Sequence, residues 1–136
     1  MKLSRTVSYA LQATLQLAKS RSSDPVPCRQ LAADGNMPER FLLQILRDLV
    51  AHGILESTRG VDGGYVLGRA PDDASLLEVI EAVEGPVATV LPVVEGFSVR
   101  TRSKLKRALE EVTDVARREL DAVKLAHLLP PSYRAE

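Results

Sequence analysis

A single cysteine, Cys28, is all the thiol in this chain of 136 residues, so no disulfide can form within it. Aromatic residues are almost as scarce, with no tryptophan, two phenylalanines and three tyrosines, and the core must be built from Leu, Val, Ile and Ala. No apolar run is long enough to cross a bilayer, and the first residues lack the apolar stretch of a signal peptide. The expected location is therefore the cytoplasm, with no membrane partner. No nucleophile stands with a base, no carboxylates pair, and residues 60–64 lack the Lys-Ser/Thr ending of a phosphate-binding loop, so an enzyme is not expected. Net charge is also absent, but the zero hides two unequal halves. Residues 1–69 hold nine Lys and Arg against six Asp and Glu, a balance of +3, and residues 70–136 hold nine against twelve, a balance of −3. That asymmetry permits an anionic partner for the first half without demonstrating one.

What the chain does have is helical periodicity with clear punctuation. Within residues 3–20, Val7, Ala10, Leu11, Leu15 and Ala18 recur at helical spacing behind Ser4, and Ser22-Ser23-Asp24-Pro25 ends that helix. Pro27 suits the first turn of a short second helix running to Ala33, because its missing N–H would be unpaired there anyway. Asp34-Gly35-Asn36 reads as a tight turn. Pro38 opens a third helix to about His52, closed by Gly53. Short strands are expected at Ile54-Leu55-Glu56-Ser57-Thr58 and Tyr65-Val66-Leu67, joined by a glycine-rich turn in which Asp62-Gly63 is a favoured hairpin dipeptide.

The third helix has two faces. Phe41, Leu42, Ile45, Leu46, Leu49 and Val50 repeat as one buried stripe, which leaves Arg40, Leu43, Gln44 and Arg47 together outside. Helix, short helix, tight turn, longer helix and hairpin is the order of a winged helix-turn-helix, a mainly α fold with a small β-hairpin. In such a fold the outward stripe enters a major groove, where Arg pairs with guanine, Gln with adenine and Leu43 meets a thymine methyl group, while Arg59 sits on the wing. The plainer alternatives are a solvated helix face and an ordinary exposed hairpin. A winged module that docks another protein without binding DNA is the rival at the level of function.

The entire chain resembles the winged-helix transcription regulators typified by the iron-sulfur regulator IscR, the nitric-oxide-sensitive repressor NsrR and the cysteine-metabolism repressor CymR. The resemblance is carried by Met1-Lys2-Leu3 with Tyr9-Ala10, by Phe41-Leu42-Leu43-Gln44-Ile45-Leu46, by Arg59-Gly60 with Gly63-Gly64-Tyr65, and by Val83-Glu84-Gly85-Pro86. It implies a homodimeric regulator, a repressor, on a partly palindromic DNA operator. By position, Arg40, Phe41, Leu43 and Gln44 would lie in the major groove and Arg59 in the minor groove. Relatives of this type ligate an iron-sulfur cluster through three cysteines in a loop after the Glu-Gly-Pro turn. Here residues 87–99 contain neither Cys nor His, so no cluster of that kind and no cofactor is expected. Leu43 stands where cluster-binding relatives often carry an acidic residue, a departure that bears on which operator is read.

Cys28 near the start of the second helix has two readings: a redox-responsive thiol with its pKa lowered by the helix dipole, or a small apolar residue packed on the first helix. His52 and His127 lack partners at ligand spacing and suit capping or surface roles. Ser75-Leu76-Leu77-Glu78 is a capping-box pattern for a fourth helix, with Leu77, Ile80 and Val83 facing the winged domain and Gly85-Pro86 ending it. A long helix follows from about Arg100 to Leu129, with Leu105, Leu109, Val112, Ala116, Leu120, Val123 and His127 near one line. Its apolar line must pack either on its own domain or on a second chain, and a twofold protein suits a palindromic site. The expected organisation is a DNA-binding domain at 1–86, an effector or linker loop at 87–99, a dimerisation helix at 100–129 and a loose tail at 130–136. The effector is expected to be a small molecule in apolar space lined by residues 87–94, or a partner protein.

Overall fold

Residues 1–20 and 23–133 are described by a computed structural model. Ser4 starts α1 (Arg5–Lys19) by accepting the Val7 N–H at 3.1 Å, one of the unpaired donors of the first turn. Its hydroxyl also donates to the Glu84 carboxylate, which fastens the helix start to a later element. The inner side of α1 is small, with Ala10 and Ala13 fully buried, and Thr14 survives burial by returning its hydroxyl to the Ala10 carbonyl at 2.6 Å. Two glutamines of α1 reach the carbonyls of α2 (Cys28–Gly35): Gln12 donates to Gly35 at 2.7 Å and Gln16 to Leu31 at 3.4 Å. Gly35 is thus the last residue of α2 rather than part of the turn, and the reversal is made by Asn36, left-handed at φ 53°.

α3 (Glu39–Ala51) buries Leu42, Ile45, Leu46 and Leu49 to 2% exposure or less. Gly53 ends it at φ +76°, with Gly53 N–H bonded to Val50 and Ile54 N–H to Leu49, the paired bonds of a Schellman closure. β1 (Leu55–Thr58) and β2 (Gly64–Leu67) pair antiparallel, Leu55 opposite Leu67 and Thr58 opposite Gly64. That register leaves residues 59–63 as the turn, so Asp62-Gly63 is not a two-residue reversal. The left-handed residue is Gly60 at φ +112°, whose carbonyl accepts the Gly63 N–H at 3.1 Å. Val26 forms an isolated antiparallel bridge with β2 through two bonds with Tyr65, at 3.0 and 2.9 Å. The approach is so close that a Cβ on Gly64 would run into the Val26 carbonyl and the Pro27 nitrogen.

α4 (Leu76–Glu84) carries the expected capping box, Glu78 N–H to Ser75 Oγ at 3.1 Å and Ser75 N–H to Glu78 Oε1 at 3.2 Å, and Gly85 closes it at φ +84°. Val79, outside the expected inner face, is its most buried residue at 0%. α5 (Val99–Ala122) has no fully buried residue. It ends seven residues before Leu129, where the periodicity had carried it. The reason is a better offer from the domain. Val123 accepts the Leu76 N–H at 2.8 Å, Leu125 donates to Ala74 at 2.9 Å, and the chain turns into a 3-10 turn, Leu125–Leu128. Leu125, Ala126 and Leu129 are thereby buried at 0%, 7% and 3%. His127 is consequently not on the face of a long helix; it is exposed, and its Nδ1 accepts the Lys124 N–H at 3.1 Å as a cap. Leu125, Ala126 and Leu129, expected on the dimerisation helix, thus belong to the core of their own chain. Within residues 130–136, Pro131–Tyr133 form a second 3-10 turn, and the last three residues lie outside those described, as do residues 21 and 22.

α4 and α5 are clamped by an ion pair. Arg117 Nη1 lies 2.6 Å from Glu81 Oε2 and 2.9 Å from the Val87 carbonyl, while the Val87 N–H returns to Glu81 at 2.9 Å. Hydrogen bonding from Arg117 holds the Glu81 carboxyl below the usual range, against an opposing contribution from burial.

Leu125→Ala should cost ~2–5 kcal/mol in urea denaturation, as deletion from a packed core does and as a change in an exposed helix end would not. A depressed carboxyl pKa stabilises above the unfolded value and loses that contribution as pH falls through the folded one. The stability gap between the unaltered protein and Glu81→Gln should therefore be full above about pH 5 and close on acidification below the ordinary Glu value near ~4.3, as read by thermal melts across pH.

Candidate nucleic-acid interface

The core fixes which side of α3 faces out. With Leu42, Ile45, Leu46 and Leu49 buried, Arg40, Gln44 and Arg47 are exposed and Leu43 is half-buried beside them. The expected stripe is present as a single surface. Phe41 corrects the sequence reading: assigned to the buried stripe, it is 54% exposed and leans edge-on against Tyr9, ring centroids 6.5 Å apart at 76°. It lies at the boundary of the inner face, where six apolar positions were counted and four are deeply buried. Val50, on the other boundary, is half-buried.

Arg59 opens the wing turn and is exposed, and Val61 at the tip is wholly so. Among the described residues, Arg40, Arg47 and Arg59 take part in no ion pair, so all three guanidinium groups are available. A groove of about 530 Å³ separates α3 from the wing, with Arg47 on one wall, Arg59 on the other, Ser57 and Thr58 along the strand, and Cys28 and Tyr65 deeper. Free cations, hydroxyl donors and a concave surface can follow a phosphate backbone.

Sequence reasoning missed one contact on this surface. Gln44 Nε2 donates to Asp48 Oδ1 at 3.1 Å, which leaves its Oε1 and second amide hydrogen for an outside partner. The signal was in the sequence as an i, i+4 Gln-Asp pair. Asp48 also serves the helix end, since its carbonyl accepts the His52 N–H and His52 Nδ1 lies 2.9 Å from it. His52 is thus a surface capping residue.

Cys28 is half-buried at the start of α2, its Sγ 3.7 Å from the Glu39 carbonyl. Burial pushes the thiol up, and Glu39 adds to the shift, the reverse of the dipole-activated thiol that a helix start suggests. After α4, residues 87–99 form a strap along α5. Arg102 donates to the Leu91 and Pro92 carbonyls at 2.9 and 2.5 Å, and Thr89 and Thr113 share a hydrogen bond of 2.6 Å. Val90 and Val93 are 83% and 90% exposed, whereas Val87, Thr89 and Leu91 are half-buried. The cleft at its start is mixed, with Pro86, Val87 and Ala88 beside Glu81, Thr89, Thr113 and Arg117.

Three helices, a tight turn and an arginine-bearing β wing define a winged helix-turn-helix, the architecture of DNA-binding regulators. A family model described as Rrf2, iron-dependent transcriptional regulator, matches residues 3–131. The transcriptional regulator CymR of Bacillus subtilis is 32% identical over 119 residues, covering 83% of this chain and 86% of that protein. IscR of Aliivibrio salmonicida is 31% identical over 130 residues, covering 95% and 77%. The solved structure of CymR, described as the global cysteine regulator of B. subtilis, aligns with TM-score 0.72 and 31% identity over 94% of this chain and 95% of that one. The chain belongs to the Rrf2 family; it is a transcriptional regulator and not an enzyme.

The residues present do not fit the iron of the family description. The strap carries no thiolate or imidazole, and among the described residues no group of three or more His, Cys, Asp or Glu could hold a metal ion.

A raised thiol pKa means little thiolate at neutral pH. Alkylation of Cys28 by iodoacetamide at pH 7 should be slower than that of free cysteine and should accelerate as pH rises past the ordinary thiol range. Rapid labelling at pH 7 followed by mass spectrometry would show instead that the thiol is activated.

Proposed function

We propose that this protein binds duplex DNA in the cytoplasm as a homodimer, reading a partly palindromic operator and repressing the genes behind it, without an iron-sulfur cluster. The observation that carries the proposal is the surface shared by α3 and the wing: Arg40, Leu43, Gln44 and Arg47 face out beside Arg59, with every arginine free of an ion pair among the described residues. Gln44 and Arg40 read base edges in the major groove, Leu43 meets a thymine methyl, and Arg47 holds a phosphate. Arg59 enters a narrow minor groove, where the negative potential is enhanced. Dimerisation is supported by α5, which leaves Leu109, Val112 and Val115 exposed at 37%, 66% and 49%. Leu105, Ala116 and Leu120 of the expected dimer line are half-buried within their own chain, so only part of that line is free. The signal is a small molecule or a partner protein read through the strap and α5.

The test is fluorescence anisotropy with iron-free protein on an operator selected from random duplex DNA and on a scrambled control. Gln44→Ala should cost ~1–3 kcal/mol on the operator and nearly nothing on the control. Arg59→Ala should weaken both and lower the salt slope by about one unit. Salt-independent or absent duplex binding would sink the proposal in favour of protein docking. In sedimentation at micromolar concentration, the unaltered chain should run as a dimer and the Val112→Glu, Val115→Glu double variant as a folded monomer that melts lower, by the stabilisation that association supplied.

A further inference from the structure

Asp48 stands where two local rules disfavour it. It lies in the last turn of α3, where a negative charge opposes the helix dipole and no basic residue offsets it. It is also one turn beyond exposed Gln44, beside the surface proposed to meet DNA, where a carboxylate repels phosphate. Among the described residues it takes part in no ion pair. The cap at His52 uses the Asp48 backbone carbonyl, which any residue would supply, so the helix end does not require this side chain. What the half-buried carboxylate does is accept the Gln44 amide, Nε2 to Oδ1 at 3.1 Å. A Gln–Asp contact at this spacing stabilises a helix only slightly.

We infer that Asp48 is a positioning residue that fixes which end of the Gln44 amide meets DNA, and that it thereby restricts Gln44 to adenine over guanine. The inference rests on the base-reading role proposed for Gln44. An ionised carboxylate carries no hydrogen and can only accept. The amide must therefore turn its nitrogen to Asp48, because the flipped amide would set Oε1 against Oδ1, two acceptors with no hydrogen between them. With Nε2 anchored, Gln44 presents Oε1 and one remaining N–H, an acceptor beside a donor. Adenine offers the complement in the major groove, the N6 amino donor and the N7 acceptor, whereas guanine offers two acceptors, O6 and N7. A free glutamine can swing its amide hydrogens toward guanine. One held by Asp48 meets guanine O6 with an oxygen. The carboxylate thus discriminates between bases without touching either, while its repulsion of phosphate applies equally to every sequence.

The test is fluorescence anisotropy on the selected operator and on a duplex in which the base pair read by Gln44 in one half-site, the pair to which Gln44→Ala becomes indifferent, is changed from A·T to G·C. The unaltered protein should prefer A·T by about tenfold or more. Asp48→Ala should bring the two duplexes within about threefold, chiefly by binding the G·C duplex better, and Asp48→Asn should do the same because an amide donates as well as accepts. Asp48→Glu, again an acceptor only, should keep the preference. Removing the charge should also strengthen binding to all duplexes, scrambled ones included, by a common factor that shrinks with salt and cancels in the ratio. In a Gln44→Ala background, Asp48→Ala should leave the ratio unchanged. An A·T preference undiminished in Asp48→Ala, or a G·C pair at the selected site, would overturn the inference and leave Gln44 as a base reader. A ratio that Asp48→Ala still alters without Gln44 would show Asp48 contacting a base itself and would refute the positioning role. Equal losses on operator and scrambled duplexes for Gln44→Ala would remove the base-reading role, and the inference with it.

Discussion

One constraint sets everything on the DNA side of this molecule: the inner face of α3 must be buried. Leu42, Ile45, Leu46 and Leu49 are worth roughly 1.5–3 kcal/mol each when removed from water. Turning the helix by one residue swings its side chains by about 100°, which would lift part of that set into solvent and press Arg40, Gln44 or Arg47 into a core that offers them no partners. The rotational setting of α3 is therefore fixed by apolar packing, and the polar stripe is where it is as a consequence. Phe41 lies at the hinge of this argument. It is too far round to be buried with the four, and it settles on Tyr9 of α1 instead.

The wing is held to the same body by a different force. Val26 pairs with Tyr65 by two backbone hydrogen bonds, so the segment that enters α2 is also bridged to β2, next to the turn that carries Arg59. Gly64 makes this possible by having no side chain where the two backbones meet. α5 touches that body at one remove, through α4, the Glu81–Arg117 pair and the bridge from Ser75 to Lys124. α4 is the element that packs on both α3 and α5.

Local chemistry was the legible part of this fold. Ser4, Asn36, Gly53, the Ser75–Glu78 box and Gly85 announce helix ends because capping depends on one or two neighbouring residues. The outward stripe of α3 was legible because one-sided burial leaves a period in the sequence. What escaped depended on contacts distant along the chain. The end of α5 is decided by carbonyl and N–H groups at Ala74 and Leu76, and the 3-10 turn after it buries Leu125 and Leu129, a four-residue spacing that a helix face would also show. The bridge at Val26 involves a single residue and has no periodicity to show. The wing turn was misplaced because Asp62-Gly63 is a strong local signal for a two-residue reversal, and the strand register outvoted it.

Zero net charge then becomes informative about how such a protein discriminates. Nonspecific affinity for duplex DNA comes from counterion release and scales with the phosphates neutralised. Around the proposed interface, Arg40, Arg47 and Arg59 are interleaved with Glu39, Asp48 and Asp62, so no broad cationic field exists to hold arbitrary sequence. The carboxylates repel a backbone that is not in register, and the free guanidinium groups gain only where groove geometry brings phosphate or a guanine edge to them. A surface of this kind lowers the affinity for wrong sites more than for the right one. The specificity ratio, which governs occupancy in a genome of competing sites, can be high even though total binding is modest. The proposed homodimer would compensate, because a linked second half-site multiplies the contacts of three arginines and a glutamine without adding nonspecific charge.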